Sequence, residues 1–250
     1  NLSIAATNGI SLGGAITTIG TQTYTGAVTL GQASLLTGAG INFVSTLNGA
    51  KALTVTDTAT TTFGGTVGGT TRLTSLLVNG TGATLIIGGA VKTVGAQTYS
   101  NAVELRAATT LTGSVVSFLN TVLGDDGTSK FALNVVGDAI LGDSSSTIDD
   151  ITGLASLDVT GTTLIETATL TSAGTQRFRG AVTVGTATTL TTTNSAVTFD
   201  AALSSSSTEQ NNLTIAAGSG NILAQGAIGG SVAAEGFGDL IFNTTGTKTF

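Results

Sequence analysis

The chain of 250 residues contains no cysteine, histidine, proline, methionine or tryptophan. The lack of cysteine excludes disulfides, thiolate chemistry and cysteine-ligated metals. The lack of histidine excludes Ser-His-Asp triads, imidazole general bases and histidine metal sites. Only eight residues are Lys or Arg and the net charge is −6, which argues against a nucleic-acid partner because phosphates require basic patches. We therefore predict no enzyme, and no catalytic, cofactor-binding or metal site.

Long apolar runs are also absent, because glycine, threonine or serine interrupts each of them. A membrane-spanning helix needs about 20 consecutive apolar residues, so no transmembrane segment is predicted. The first residues show no basic segment followed by an apolar one, and no signal peptide is expected in them.

What the chain does contain is 36 glycines, many threonines and 40 % hydrophobic residues, with a mean hydropathy of +0.42. Disordered chains show the opposite balance, with low hydrophobicity and many charges. Threonine, valine and isoleucine favour strands, and glycine disfavours helices. The composition therefore predicts an all-β fold with a core of small and β-branched side chains.

One sequence pattern recurs three times and begins a fourth time. The copies are Gly20-Thr-Gln-Thr-Tyr24-Thr-Gly-Ala-Val-Thr-Leu30, Gly95-Ala-Gln-Thr-Tyr99-Ser-Asn-Ala-Val-Glu-Leu105, Gly174-Thr-Gln-Arg-Phe178-Arg-Gly-Ala-Val-Thr-Val184 and Gly246-Thr-Lys-Thr-Phe250. The aromatic residue recurs at intervals of about 75 residues, which is typical of a repeat architecture. We expect one continuous segment over 1–250, with a partial copy at 1–23 and copies at 24–98, 99–177 and 178–249, taken from a longer array.

Each copy subdivides into three segments of about 25 residues, and each segment contains short strands in which apolar and polar residues alternate. That length suits one turn of a β-solenoid, with inward Leu, Val, Ile and Phe and outward Thr, Ser, Asn and Gln. The predicted fold is a right-handed parallel β-helix of about ten turns. The alternative is a string of small β-sandwiches, which the absence of a Trp core and of Pro-marked linkers disfavours.

Acidic residues concentrate in the second copy. Nine of the 14 lie there: Glu104, Asp125, Asp126, Asp138, Asp143, Asp149, Asp150, Asp158 and Glu166. The pairs Asp125-Asp126 and Asp149-Asp150 are candidate Ca²⁺ ligands, but neither follows an EF-hand or a nonapeptide repeat pattern. Polar turn insertions are the favoured interpretation, and calcium binding by this copy stays open at this point.

Three further groups of residues receive a structural interpretation. Arg177 and Arg179 flank Phe178 at alternate positions, which predicts that both face outward and form ion pairs with acids of the second copy. Ser204 to Ser207 have no base partner and predict a solvated turn. The Thr-x-Thr pairs at 21–23, 54–56 and 60–62 do not share one position in the turn, which disfavours a flat ice-binding face.

The repeats, together with Thr61-Thr-Phe63-Gly-Gly-Thr-Val-Gly-Gly69, resemble those of giant bacterial β-strand-repeat surface proteins. These are similar to filamentous-haemagglutinin-like and autotransporter-type adhesins. The resemblance covers nearly the whole chain and implies no catalytic residues. It implies export, display at the bacterial outer-membrane surface or release outside the cell, and a role as an adhesin stalk or filament protomer. Expected partners are other fibres and a glycan or protein surface of a host or the environment. A carbohydrate-active β-helix enzyme and an ice- or glycan-binding module are the alternatives.

Overall fold

A computed structural model describes residues 1–145, 149–206, 209–230 and 235–250. Within these ranges the chain forms strands and turns and no α-helix. It divides into two compact units, residues 1–119 and 120–250. The division does not coincide with the predicted copy boundaries at 99 and 178, and the expected single continuous segment stays a prediction.

The first unit consists of short strands separated by tight turns. They are β1 (Leu2–Ala5), β2 (Ile10–Thr17), β3 (Gln22–Thr25), β4 (Val28–Gly38), β5 (Ile41–Phe43), β6 (Leu47–Asn48), β7 (Ala52–Asp57), β8 (Thr61–Phe63), β9 (Ser75–Gly80), β10 (Thr84–Ile86), β11 (Ala90–Lys92), β12 (Gln97–Tyr99), β13 (Val103–Leu105) and β14 (Thr109–Phe118).

The strands of the first unit pair in parallel along three ladders. The first ladder is β1-β3-β5-β8-β10-β13. The second and third ladders share β2, β4 and β14, which are long enough to pair on both. The second continues through β6 and β11, and the third through β7, β9 and β12. Residues paired on the first ladder are 19 to 23 positions apart, so each turn is shorter than the predicted 25 residues.

Strict alternation along these strands places one set of side chains inside. Tyr24, Phe43 and Phe63 occupy the same position on three consecutive strands of the first ladder. Their rings stack with centroid distances of 5.3 and 5.7 Å, and all three are at most 1 % exposed. The core of the first unit is therefore a set of columns parallel to the stacking direction, as the alternation predicts.

The sequence repeat does not contain a whole number of turns in the first unit. Along the first ladder, Ile86 lies three turns after Tyr24 and Leu105 lies four turns after it. Tyr99 instead pairs with Val78 on the third ladder. The prediction that one copy equals three turns is wrong here, because turns of 19 to 23 residues complete three windings before the copy ends.

The second unit has the same construction. Its strands are β15 (Val122–Leu123), β16 (Leu133–Gly142), β17 (Ile151–Leu154), β18 (Leu157–Val159), β19 (Thr163–Glu166), β20 (Thr169–Ser172), β21 (Gln176–Phe178), β22 (Val182–Val184), β23 (Thr188–Thr192), β24 (Val197–Phe199), β25 (Leu203–Ser205), β26 (Leu213–Gly218), β27 (Ile222–Ala224), β28 (Leu240–Thr244) and β29 (Lys248–Thr249).

Three parallel ladders run through this unit as well: β15-β17-β20-β23-β26-β28, β16-β18-β21-β24-β27-β29 and β16-β19-β22-β25. Phe178 and Phe199 stack at 5.3 Å on the second of these ladders, and both are fully buried. The register continues from Phe199 to Ala224 and leads to Phe250 directly after β29. The interval from Phe178 to Phe250 is therefore three turns, as predicted for this copy.

The parallel β-solenoid of about ten turns is confirmed. Every strand pairing in the described ranges is parallel; the antiparallel contact, Asp125 with Lys130, is an isolated bridge outside the strands. The tandem-sandwich alternative is wrong, because sandwich sheets are built from antiparallel strands.

Close contact between turns requires glycine at specific positions. A Cβ atom on Gly82 would lie 1.1 Å from the carbonyl oxygen of Ala59 in the neighbouring turn. Gly80 has φ +112°, and its Cβ atom would lie 1.9 Å from the carbonyl oxygen of Asp57. Backbone therefore packs directly on backbone at this corner, where only glycine fits.

Candidate functional site

The Gly-x-Gln-x-aromatic motif occurs three times, and its glutamine is buried each time. Gln22, Gln97 and Gln176 are fully buried. Each lies two residues before the aromatic side chain and on the same face of the strand, so the two side chains are neighbours. The predicted outward position of glutamine is wrong for these three residues, because each shares the inward face of its strand with the aromatic residue.

The glutamine amide joins two consecutive turns. Gln97 Nε2 donates to the carbonyl oxygens of Val91 at 3.0 Å and Thr112 at 2.8 Å. The Tyr99 hydroxyl donates to Gln97 Oε1 at 3.0 Å. The same offsets recur around Gln22, which donates to Ile16 and Thr37 carbonyls and accepts from Tyr24 at 2.8 Å. We call this arrangement the glutamine clamp.

The third motif, around Gln176, retains the clamp without its hydroxyl donor. Gln176 Nε2 donates to the Leu170 and Thr191 carbonyls at 3.3 and 2.9 Å. Phe178 stands where the first two occurrences have Tyr24 and Tyr99, and Gln176 Oε1 is buried with no hydrogen-bond partner. A buried acceptor without a donor lowers stability.

Replacing Phe178 with tyrosine is therefore expected to stabilise the protein, because the new hydroxyl supplies the donor that Gln176 lacks. A buried hydrogen bond contributes about 1 kcal/mol, and urea unfolding of wild type and F178Y measures the gain. The matched control is Y24F, which removes the equivalent donor and is expected to lose a similar amount. A destabilised F178Y alongside a neutral Y24F would contradict the geometry.

Burial of the tyrosines predicts a loss of stability in alkali. Burial raises the pKa of Tyr24 from 10.0 to about 12 and raises the pKa of Tyr99 further. Because the folded pKa exceeds the unfolded one, this stability is fully present below pH 10 and is lost as the pH rises toward 12. For Tyr24 the total loss is on the order of 3 kcal/mol.

Urea unfolding at a series of alkaline pH values measures this loss, and phenolate absorbance reports ionisation directly. In Y24F the decline with pH is expected to be shallower than in wild type by the Tyr24 contribution. Appearance of the Tyr24 phenolate in the folded protein at its ordinary pKa would contradict the prediction.

Asp125 and Asp126 form a polar turn, in agreement with the favoured interpretation. Asp125 Oδ1 accepts from the Gly127 amide at 2.7 Å, and Asp126 Oδ1 accepts from the Ser129 amide at 2.7 Å. Lys130 Nζ lies 2.5 Å from Asp125 Oδ2. The hydrogen bond from Lys130, together with that from Gly127, lowers the pKa of Asp125. The two carboxylates therefore stabilise their own turn through these local bonds.

Asp149 lies in a different environment from its neighbour Asp150. Asp149 is 5 % exposed, its Oδ2 accepts from the Asp143 amide at 3.0 Å, and burial raises its pKa. Among the residues that the structure describes, no three Asp or Glu side chains are grouped as a metal site. The remaining acids of the second copy are distributed over several strands and turns.

Arg177 and Arg179 face outward on either side of the buried Phe178, as predicted. Arg179 forms two bonds to Asp158, Nε to Oδ1 at 2.8 Å and Nη2 to Oδ2 at 2.6 Å. Arg177 binds Asp200 instead, with Nε and Nη2 each 2.8 Å from Oδ2. The prediction of a second-copy acid holds for Arg179 and is wrong for Arg177, because Asp200 lies on the next turn. We call these four residues the charged cluster.

The charges of the cluster influence one another. The hydrogen bond from Arg179 lowers the pKa of Asp158, and Arg177 adds to this effect. All four side chains are at the surface, with between 17 and 46 % of each exposed. The positive and negative charges balance.

Outward threonines form two short ladders that the sequence pattern does not reveal. In the first unit Thr17 pairs with Thr37, and Thr37 pairs with Thr56; the other ladder lies in the second unit. Thr169 and Thr171 pair with Thr189 and Thr191, and Thr189 pairs with Thr214. The ladder ends there, since Thr191 pairs with Ala216 and Thr214 with Ile241. Knowledge of the register was needed to find these ladders.

The prediction that the pairs at 21–23, 54–56 and 60–62 share no position is wrong for two of them. Thr23 and Thr62 both pair with Asn42 on the first ladder, whereas 54–56 lies on the third ladder.

The serine segment and a surface depression complete the candidates. The predicted solvated turn is wrong for Ser204 and Ser205, because both lie on β25 and pair with β22. Ser204 faces outward, and Ser205 is buried and accepts from the Asn211 amide at 2.7 Å. Ser207 lies outside the described residues. A depression beside β1 is lined by Ala5, Ala6, Thr7, Asn8 and Thr25. None of these lining side chains titrates.

Comparison with known proteins identifies no relative. No family model, curated protein or solved structure matches the chain. The resemblance to β-strand-repeat adhesins stays a prediction. No helix in the described ranges is long and apolar enough to span a membrane.

Proposed function

We propose that the chain is a structural shaft of a secreted or surface-displayed bacterial fibre, either an adhesin stalk or a filament protomer. The supporting observation is the parallel pairing of every turn with its neighbours within each unit. In such a stack, a load along the stacking direction is distributed over the hydrogen bonds of three ladders. The glutamine clamps add bonds between turns from inside the core.

The outward residues fit a passive surface. Threonine, serine and asparagine are frequent at the outward positions, while charged residues make up 9 % of the chain. Such a surface suits contact with water, carbohydrate or a second fibre. The complete lack of cysteine suits export of an unfolded chain, because no wrong disulfide forms outside the cell.

Mechanical measurement tests the shaft. Stretching the chain between its ends in a force spectrometer is expected to show several successive unfolding events, because separate turns yield one after another. Addition of further copies is expected to lengthen the particle by about 4.8 Å per turn. A single weak event, or no increase in length, would contradict the proposed role.

Location is a separate test. Antibody labelling of intact bacteria that produce the protein is expected to reach it, and external protease is expected to remove the label. Recovery of the protein only from the cytoplasmic fraction would exclude surface display.

A further inference from the structure

The charged cluster lies on three consecutive strands of one ladder in the second unit. β21 lies between β18 and β24, with Arg177 directly opposite both Asp158 and Thr198. By the same register, Asp200 is opposite Arg179. Asp158 therefore lies directly across from Arg177, and Asp200 lies directly across from Arg179. Each arginine nevertheless forms its ion pair with the other acid of the two.

The two ion pairs are diagonal, and their diagonals run in opposite directions along the strand. Arg179 reaches back toward Asp158, which lies two positions before the point opposite to it on β18. Arg177 reaches forward toward Asp200, two positions beyond its own partner on β24. A slide of β21 that brings Arg179 opposite Asp158 carries Arg177 away from Asp200. A slide in the other direction has the reverse effect.

We propose that the charged cluster is a centring device that fixes the register of β21 between its two neighbours. The pulls of the two ion pairs oppose each other, so both pairs are satisfied together only in the observed register. Because an ion pair at the surface contributes little stability by itself, the cluster acts through specificity.

The local sequence explains why such a device is useful. A slide by two residues keeps every inward side chain inward and every outward one outward, so alternation does not oppose it. The inward residues of the three strands are Leu157 and Val159, then Gln176 and Phe178, then Val197 and Phe199. Inside the core, the Gln176 clamp and the stack of Phe178 on Phe199 oppose such a slide, and the charged cluster adds a second constraint from the outward face.

Hydrogen exchange at two backbone amides tests the proposal. The Arg179 amide donates to Val159 at 2.9 Å, and the Asp200 amide donates to Phe178 at 2.9 Å. These bonds report the contact of β21 with each neighbour. The variants are R177Q, R179Q and the double variant R177Q/R179Q. Both substituted side chains lie at the surface, so the core is unchanged.

Opposed pulls predict a non-additive result. Each single variant leaves one pull unopposed, and the protection of both amides is expected to fall roughly threefold, the scale of one surface ion pair. The double variant has no pull in either direction, and its protection is expected to return toward the wild-type value. High salt, which screens both pairs, is expected to act on wild type as the double substitution does.

The matched control is R106Q. Arg106 directly follows β13 and pairs at 2.6 Å with Glu104 on that strand. This pair has no diagonal between turns, so its loss is expected to leave the two amides unchanged. Two independent ion pairs would give a loss in the double variant equal to the product of the single losses. That result, or no change in either single variant, would overturn the centring role.

Discussion

Replacing Phe43 with alanine is expected to lower the free energy of unfolding by about 3–5 kcal/mol, the range for a fully buried phenylalanine. Phe43 is the central ring of the column and stacks on Tyr24 and Phe63. Its removal leaves a cavity with an aromatic ring on either side. Neither neighbour can move into the cavity without breaking the register of its own strand.

Urea or thermal unfolding measures this loss, with N42A as the matched control. Asn42 is adjacent in sequence but faces outward on the same strand, and its loss is expected to have little effect. A cost for F43A as small as that for N42A would show that the column does not form the core of the first unit.

Replacing Gln97 with leucine is expected to cost about 4 kcal/mol. Leucine has nearly the volume of glutamine but removes the amide that serves Val91, Thr112 and Tyr99. The Tyr99 hydroxyl then loses the acceptor that Gln97 supplied, and an orphaned buried group costs about 1–3 kcal/mol. Each carbonyl loses one hydrogen bond worth about 1 kcal/mol, although Thr112 keeps the Thr93 amide at 2.8 Å. This loss of stability is expected to exceed the stability gained by burying the apolar leucine side chain. The two carbonyl groups belong to the backbone and cannot move to solvent.

Two comparisons separate the clamp from the side-chain volume. T98A changes the adjacent outward residue of the same strand and is expected to be nearly neutral. Q176L in the third copy, where the aromatic donor is already absent, is expected to cost less than Q97L. Equal costs for the two leucine variants would mean that the tyrosine hydroxyl contributes nothing to the clamp.

Much of the fold could be predicted from the sequence because alternation marks the inward side of a strand. Phe178 between Arg177 and Arg179 shows this clearly, since the phenylalanine is buried and both arginines face solvent. The composition also excluded helices, and the chain forms none in the described ranges.

The turn length and the glutamine clamp were not predicted, for two different physical reasons. Alternation identifies the inward side but not the ladder to which a strand belongs, so Tyr24 and Tyr99 were assigned to equivalent places. Gln97 was read as an outward residue because it is polar. Gln97 lies two positions before Tyr99 and therefore on the same face of the strand, which indicates that its side chain points inward.

The candidate site was harder to predict than the fold, because its contacts join residues on different turns. Arg177 and Asp200 are 23 positions apart. Their contact depends on the length of the intervening turns, which the pattern of hydrophobic residues does not specify. The polar turn at Asp125 was predictable since its hydrogen bonds are local.

The mismatch between copy length and turn length in the first unit has a consequence for recognition. Tyr24 and Tyr99 begin nearly identical segments that emerge on different ladders. An antibody or receptor that binds the outward residues of one copy would find the next copy facing another direction. Two such molecules could then occupy adjacent copies without colliding, and a flat partner could not engage both copies at once.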